Sequence, residues 1–157
     1  MEIILRFLNL LLAVLVTGSV FGILVSFNPL SLSSASYVEQ HQSLVKGFNV
    51  LLPILGGVII VSSLWLAHLN KTTHSVLVLF GLAAVFFLVT GLITRFGNQP
   101  INSLVMSWQP TAPPSNWAQW RDQWWLYHKL RFVSSVIGLC LLIWVNLQVV
   151  LKKPVIS

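Results

Sequence analysis

Acidic side chains are nearly missing: Glu2, Glu39 and Asp122 are the full complement in 157 residues, and charged residues of both signs make up only 8% of the chain. A soluble domain carries about 25%, so no ordinary water-facing surface can be assembled from this sequence. Cysteine is almost as scarce. Cys140 stands alone, which excludes an intrachain disulfide and any cysteine cluster for zinc or iron–sulfur. It lies mid-span in the last apolar run and reads as a small core or lipid-facing residue. The nine Lys and Arg leave a formal net charge of +6, yet they are scattered at the ends of apolar runs. No basic stripe exists to follow a phosphate backbone, which argues against nucleic acid as a partner. At those ends the cations anchor helices to headgroups.

What fills the chain instead is apolar: 56% of residues are hydrophobic. A bilayer core needs about 20 apolar residues of helix, and four runs meet that requirement, at residues 3–25, 47–68, 75–94 and 132–151. The first resembles a signal peptide, with Ser34-Ala35-Ser36 as a cleavage site. Its apolar stretch exceeds the roughly 7–15 residues of a signal core, however, and it reads as a span. Pro53 and Gly56-Gly57 are expected to kink the second span, and Gly18-x-x-x-Gly22 gives the first a small-residue face for close helix contact. The expected fold is an all-α integral membrane protein, one membrane domain over 1–157. It is a bundle of four transmembrane helices with a Trp-rich extramembrane segment between helices 3 and 4. Ser26 to Val45 reads as an exposed, Ser-rich connection.

Four spans put both termini and the turn at 70–74 on one side. The positive-inside count is nearly even, with Arg6, Lys71, Lys152 and Lys153 against Lys46, Arg95, Arg121, Lys129 and Arg131. The Lys152–Lys153 pair and Lys71 flank spans with no other evident role, so the termini of this multi-pass protein are expected in the cytoplasm.

Five of the seven tryptophans fall within 96–129. An aromatic belt at headgroup level accounts for some of them. The spacing asks for more. Pro113-Pro114 breaks the chain, Asn116 is a good N-cap, and Gln119 completes something like a capping box, so a helix should start there and run into the fourth span. At about 100° per residue, Trp117, Arg121, Trp124, His128, Arg131 and Ser135 share one stripe, while Asp122 and Lys129 point elsewhere. Lipid would not accept that stripe, so it should look into the bundle or a wet mouth. The plainer alternative has Arg121 and Arg131 reaching headgroups with Trp over their guanidinium planes. Upstream, Gly97 is expected to close the third helix, Pro100 to prevent its continuation, and Asn98 and Asn102 to cap helix ends.

The run Asn98-Gln99-Pro100-Ile101-Asn102, then Trp108-Gln-Pro, then Trp117-x-x-x-Arg121-x-x-Trp124-x-x-x-His128-x-x-Arg131, resembles the tetraspan membrane family that includes the fungal and bacterial anthrone oxygenases. Most members of that family have no assigned reaction. They carry an Asn-x-Pro-x-Asn element after the third span, commonly with Val where this chain has Gln99. The likeness covers the whole layout, but its specific part is residues 98–131. It implies an oxygenase that converts the activated methylene of a flat polycyclic phenol into a carbonyl with O₂ and no bound cofactor. A deprotonated anthrone is electron-rich enough to reduce O₂ itself, so the protein needs a base, cations for an enolate and a flat apolar pocket. By resemblance, His128 is the base, Arg121 and Arg131 stabilise the enolate, Trp117 and Trp124 are stacking walls, and Asn98 and Asn102 orient substrate oxygens.

The topology puts His41 on the same side as His128, with His68 and His74 opposite. His41 reads first as a solvated loop histidine. The rival is a metal or haem ligand shared with His128, although two imidazoles are a thin metal signal. Two further functional classes stand beside the oxygenase acting on an anthrone- or quinone-like substrate. One is a non-catalytic tetraspan subunit binding a lipid, a quinone, a second copy or a larger membrane complex. The other, a small transporter, ranks last because no charge sits in the middle third of a span.

Overall fold

The computed structural model describes residues 1–151, with side chains to 148, so the Lys152–Lys153 pair lies outside the described residues. Among these residues all regular structure is helical. Four stretches are long and apolar enough to cross a membrane: Glu2–Ser31, Leu51–Leu69, His74–Met106 and Trp117–Gln148. Helix α1 (Glu2–Ser26) is followed by a short 3₁₀ turn (Pro29–Ser31), and α2 (Ser34–Phe48) lies before α3 (Leu51–Leu69). Helix α4 (His74–Ile93) runs through a π-helical turn (Thr94–Asn98) into α5 (Gln99–Met106), and α6 spans Trp117–Leu151.

The spans pack through Ala13, Val16, Ile59, Leu66, Phe80, Ala83, Phe87, Leu142 and Val145. Lipid is as apolar as these residues, so close packing and buried polar contacts hold the helices together. The Asn9 amide of α1 donates to Ile59 O and Ser63 Oγ of α3, at 3.2 and 3.0 Å. The Ser134 hydroxyl of α6 donates to Phe86 O of α4 at 2.8 Å. A second apolar cluster, with Phe27, Tyr37, Val38, Ile101, Val105, Trp108 and Trp124, gathers around α2 and α5 at one end of the bundle.

Several expectations change here. Ser26 to Val45 is mostly helix, not open connection: α2 starts behind Ser33, whose Oγ accepts from Ser36 N at 3.3 Å. Tyr37, Val38 and His41 make its buried face. Gln42 pins it to α5 by donating to Val105 O and Trp108 O, at 3.0 and 2.9 Å, which satisfies carbonyls at the α5 C-terminus. Pro53 falls in the first turn of α3, where a missing N–H is harmless, so it opens that helix instead of kinking it. Gly18 and Gly22 face outward, with nothing near the position of a Cβ, so their stripe serves no contact among the described residues.

The third helix does not stop at Gly97. The Pro100 ring would clash with the carbonyl four residues back in an ordinary α-helix; the wider π turn over Thr94–Asn98 accommodates it, and the helix goes on to Met106. Gly97 is needed for a different reason. A Cβ there would lie 2.7 Å from the Tyr127 ring, so the π turn can approach α6 only without a side chain. Much of the Trp-rich segment is therefore helix continuous with the spans.

Candidate functional site

Helix α6 starts at Trp117 and runs unbroken into the fourth span, as the break at Pro113-Pro114 suggests. Its stripe divides in two. Trp124, His128, Arg131 and Ser135 are buried, whereas Trp117 and Arg121 are half-buried toward the surface. Arg121 lies over the Trp117 ring at 4.9 Å and donates to Asp122 Oδ1 at 2.9 Å. Asp122 was expected to point away from the stripe, but the long guanidinium arm reaches it. With its charge answered there, Arg121 stays over Trp117 beside Tyr37 of α2.

Between α1, α3, α4 and α6, beneath α2 and α5, lies a cavity of about 230 Å³. Its walls are mostly apolar, including Val20, Leu44, Phe48, Leu52 and Phe87. Polar groups reach it from Asn49, Thr90, Thr94, Arg95, Gln99, Asn102 and Arg131, and Trp124 forms part of the wall. Its rim includes Pro53, Gly57, Gly91 and Arg95, which are exposed between α3 and α4. Of the residues expected from sequence, Arg131, Trp124 and Asn102 come together on this cavity. His128, Arg121, Trp117 and Asn98 do not line it.

Hydrogen-bond chemistry fixes the polarity of the site. An indole N–H only donates, so the Asn102 amide atom 2.8 Å from Trp124 Nε1 is the oxygen. That same oxygen is 3.1 Å from His41 Nε2, so this imidazole nitrogen carries the proton and donates. The Asn102 amide nitrogen then donates to Asn49 Oδ1 at 3.0 Å. The Asn49 amide is left presenting N–H groups.

A guanidinium also only donates. Arg131 Nε and Nη2 lie 3.1 and 2.7 Å from His128 Nδ1, which must accept. The proton of His128 sits on Nε2, donated to Val20 O at 3.2 Å. Both ring nitrogens are thus engaged and the ring is stacked on Trp124 and Trp125, with centroids 5.1 and 5.4 Å away. His128 holds Arg131 in place and has no lone pair free for a substrate proton, contrary to its expected use as a base. Asn98 donates to the main-chain O of Trp124 at 3.1 Å, tying the π turn to α6 instead of facing a substrate.

His41 is no solvated loop residue. It is 0% exposed on α2, 4.7 Å from the Trp124 ring. Burial is the main cause that pulls its pKa down to about 4 and keeps it neutral, against an opposing pull from the Asn102 hydrogen bond. Burial likewise pushes the neighbouring Tyr37 hydroxyl well above its ordinary range. Both His128 nitrogens serve Arg131 and Val20, and His41 Nε2 serves Asn102, which leaves His41 Nδ1 buried without a partner and a pair that offers a metal a single free nitrogen. Among the described residues, no three His, Cys, Asp or Glu side chains group for a metal ion.

The sequence reading missed Asn49, Gln42 and the packing of Trp125 on His128, and named His41 only as a loop histidine or a metal or haem ligand. The signal for α2 was present in the spacing of Tyr37, Val38, His41, Leu44, Val45 and Phe48, a helical stripe behind the Ser33 cap.

The family model of the anthrone oxygenases matches residues 41–141. The chain belongs to the anthrone oxygenase family. No curated protein and no solved structure matches it. The match to the anthrone oxygenase family begins at His41 and includes Asn49, Asn102, Trp124, His128 and Arg131, so it takes in α2 as well as the Asn-x-Pro-x-Asn element. Beyond the family, what stands firmly is a multi-pass helical membrane protein with an oxygenase-like relationship.

Proposed function

We propose that this protein is a membrane oxygenase that oxidises a flat, anthrone- or quinone-like aromatic with O₂, working as one membrane domain with its termini in the cytoplasm. The observation that carries the reading is Arg131: a cation only 8% exposed, held by a neutral imidazole, lining an apolar cavity beside an indole in a chain of the anthrone oxygenase family.

In this reading the aromatic rings lie against Trp124 and the apolar walls. The substrate oxygen meets Arg131 and the amides of Asn102 and Asn49, where enolate charge develops. The activated methylene loses a proton and the carbanion gives electrons to O₂. One oxygen atom ends in the new carbonyl and the other leaves as water, so no outside reductant is consumed. His128 and His41 hold Arg131 and Asn102 in register. Arg121, Trp117 and Asn98 have supporting roles away from the ligand: Trp117, with Arg121 over its ring, packs on Tyr37 of α2, and Asn98 ties the π turn to α6.

The test is oxygen uptake and anthraquinone formation by purified protein given an anthrone, for wild type, Arg131→Ala and His128→Ala. Loss of turnover in Arg131→Ala with the helical fold intact supports the reading. No turnover by wild type, or turnover untouched by both substitutions, sinks it and favours a non-catalytic binding subunit.

A further inference from the structure

The walls of the cavity differ in what they offer a ligand. Arg131 and Arg95 can only donate. The oxygens of Asn102 and Asn49 already meet donors, from Trp124 and His41 in the first case and from Asn102 in the second, so these amides present N–H groups. The third helix is the exception. Thr90 on α4 and Thr94 at the start of the π turn stand one turn apart on its cavity side. Each donates its hydroxyl proton to the carbonyl four residues back, Thr90 to Phe86 O at 2.9 Å and Thr94 to Thr90 O at 2.8 Å. What remains on each oxygen is lone pairs, so these two side chains can only accept.

Gln99, also on the wall, can turn either end of its amide inward and imposes no choice on a ligand. The threonines do impose one. A lone pair facing an apolar cavity without a donor costs free energy. A ligand hydroxyl removes that cost, whereas an ether or a carbonyl brings only further lone pairs. Thr94 is the firmer of the two. Phe86 O, which takes the Thr90 proton, also accepts from Ser134 at 2.8 Å, so Thr90 can release its proton more easily. Thr94 is also the neighbour of Arg95 at the exposed rim, which puts its oxygen on the side of the opening between α3 and α4.

We propose that Thr94, with Thr90 one turn deeper, is a specificity-determining residue that selects ligands bearing a free, protonated hydroxyl on the edge nearest the α3–α4 opening. The hydroxyl donates to Thr94 Oγ, and no bond is made or broken in this recognition. The proposal rests on the aromatic-ligand reading above and adds which substituent the α4 wall demands.

Already oxidised polycycles test this without turnover. Detergent-solubilised protein is titrated with 2-hydroxyanthraquinone, 2-methoxyanthraquinone and anthraquinone, at a pH where the hydroxyl is protonated, with quenching of tryptophan fluorescence as the readout. Wild type is expected to bind the hydroxyl compound about tenfold tighter than the other two, the scale of one satisfied against one unsatisfied polar group. Thr94→Val keeps nearly the same shape and removes the acceptor. It should weaken binding of the hydroxyl compound about tenfold and leave the other two unchanged, which also reports an intact fold. Thr94→Ser should keep most of the preference, and Thr90→Val should lower it only about threefold.

Equal affinity of wild type for the three compounds, a preference that survives in Thr94→Val, or an equal loss for all three in that variant overturns the proposal. Oxidation of anthrone by a wild type that binds the three quinones without preference sinks this proposal alone. Failure to bind any of the three sinks the aromatic-ligand reading and the proposal with it.

Discussion

Two arginines in this protein are equally buried, each 8% exposed, at opposite ends of the bundle. Arg6 donates to the Glu2 carboxylate at 2.8 and 2.7 Å and to Asn70 Oδ1 at 3.0 Å, and lies 5.0 Å over the Phe80 ring. Arg131 has a neutral histidine and an open cavity. The same side chain at the same depth is a structural clasp where the protein supplies the anion, and in the proposed function it is a binding group where a neutral histidine stands instead. Burial alone says nothing about which; the partner does.

The largest break in that comparison is substitution of the arginines themselves. Arg131→Gln should cut anthrone turnover about 100-fold or more, the scale expected for losing a donor to developing oxyanion charge. Arg6→Gln should leave turnover nearly intact while costing about 1–3 kcal/mol of stability. Oxygen uptake and thermal melts on both variants check this, and an equal loss of turnover in the two would erase the distinction.

Trp124→Phe comes next. It keeps the aromatic wall but removes the N–H that fixes the Asn102 amide, so the amide can turn and present its oxygen to the cavity. Turnover should fall about tenfold. His41→Gln tests the same orientation from the other donor and should give a smaller loss.

The pH response sharpens the comparison further, because only the Arg131 end carries buried imidazole. The folded pKa of His41, about 4, lies below the roughly 6.5 of a free histidine. The detached state therefore binds the extra proton, and stability present above pH 6.5 is lost as pH falls toward 4. The loss is at most about 3 kcal/mol and falls on the docking of α2. Proteolytic cleavage within α2 should rise over that window, and His41→Gln should flatten the rise.

The smallest effect belongs to the exposed half of the Arg6 clasp. Glu2→Gln should cost about 1 kcal/mol or less, since its carboxylate is partly in water.

The spans and the start of α6 were legible because they depend on local signals: apolar length, Pro113-Pro114 and a 3.6-residue stripe. Arg131 and Trp124 could be placed together for the same reason. His41 and Asn49 could not, since their hydrogen-bond partner is Asn102, contributed by a segment more than fifty residues away. Helix α2 carries Ser34, Ser36, Glu39, Gln40 and Gln42 beside its apolar stripe, so its composition resembles an open loop. The withdrawal of Arg121 from the stripe turns on the reach of one flexible arm to its sequence neighbour, which helical periodicity cannot express. The π turn is a backbone adjustment to Pro100, and only coordinates reveal that a helix crosses it.

The exposed rim formed by Pro53, Gly57, Gly91 and Arg95 has a bearing on how this protein is dosed. In the proposed function, an aromatic ligand that enters between these two membrane-crossing helices is drawn from the hydrocarbon, not from buffer. The quantity that governs occupancy is then moles of ligand per mole of lipid or detergent. Diluting the micelles at constant total ligand should raise apparent affinity, and kinetic constants acquire meaning only when stated as mole fractions.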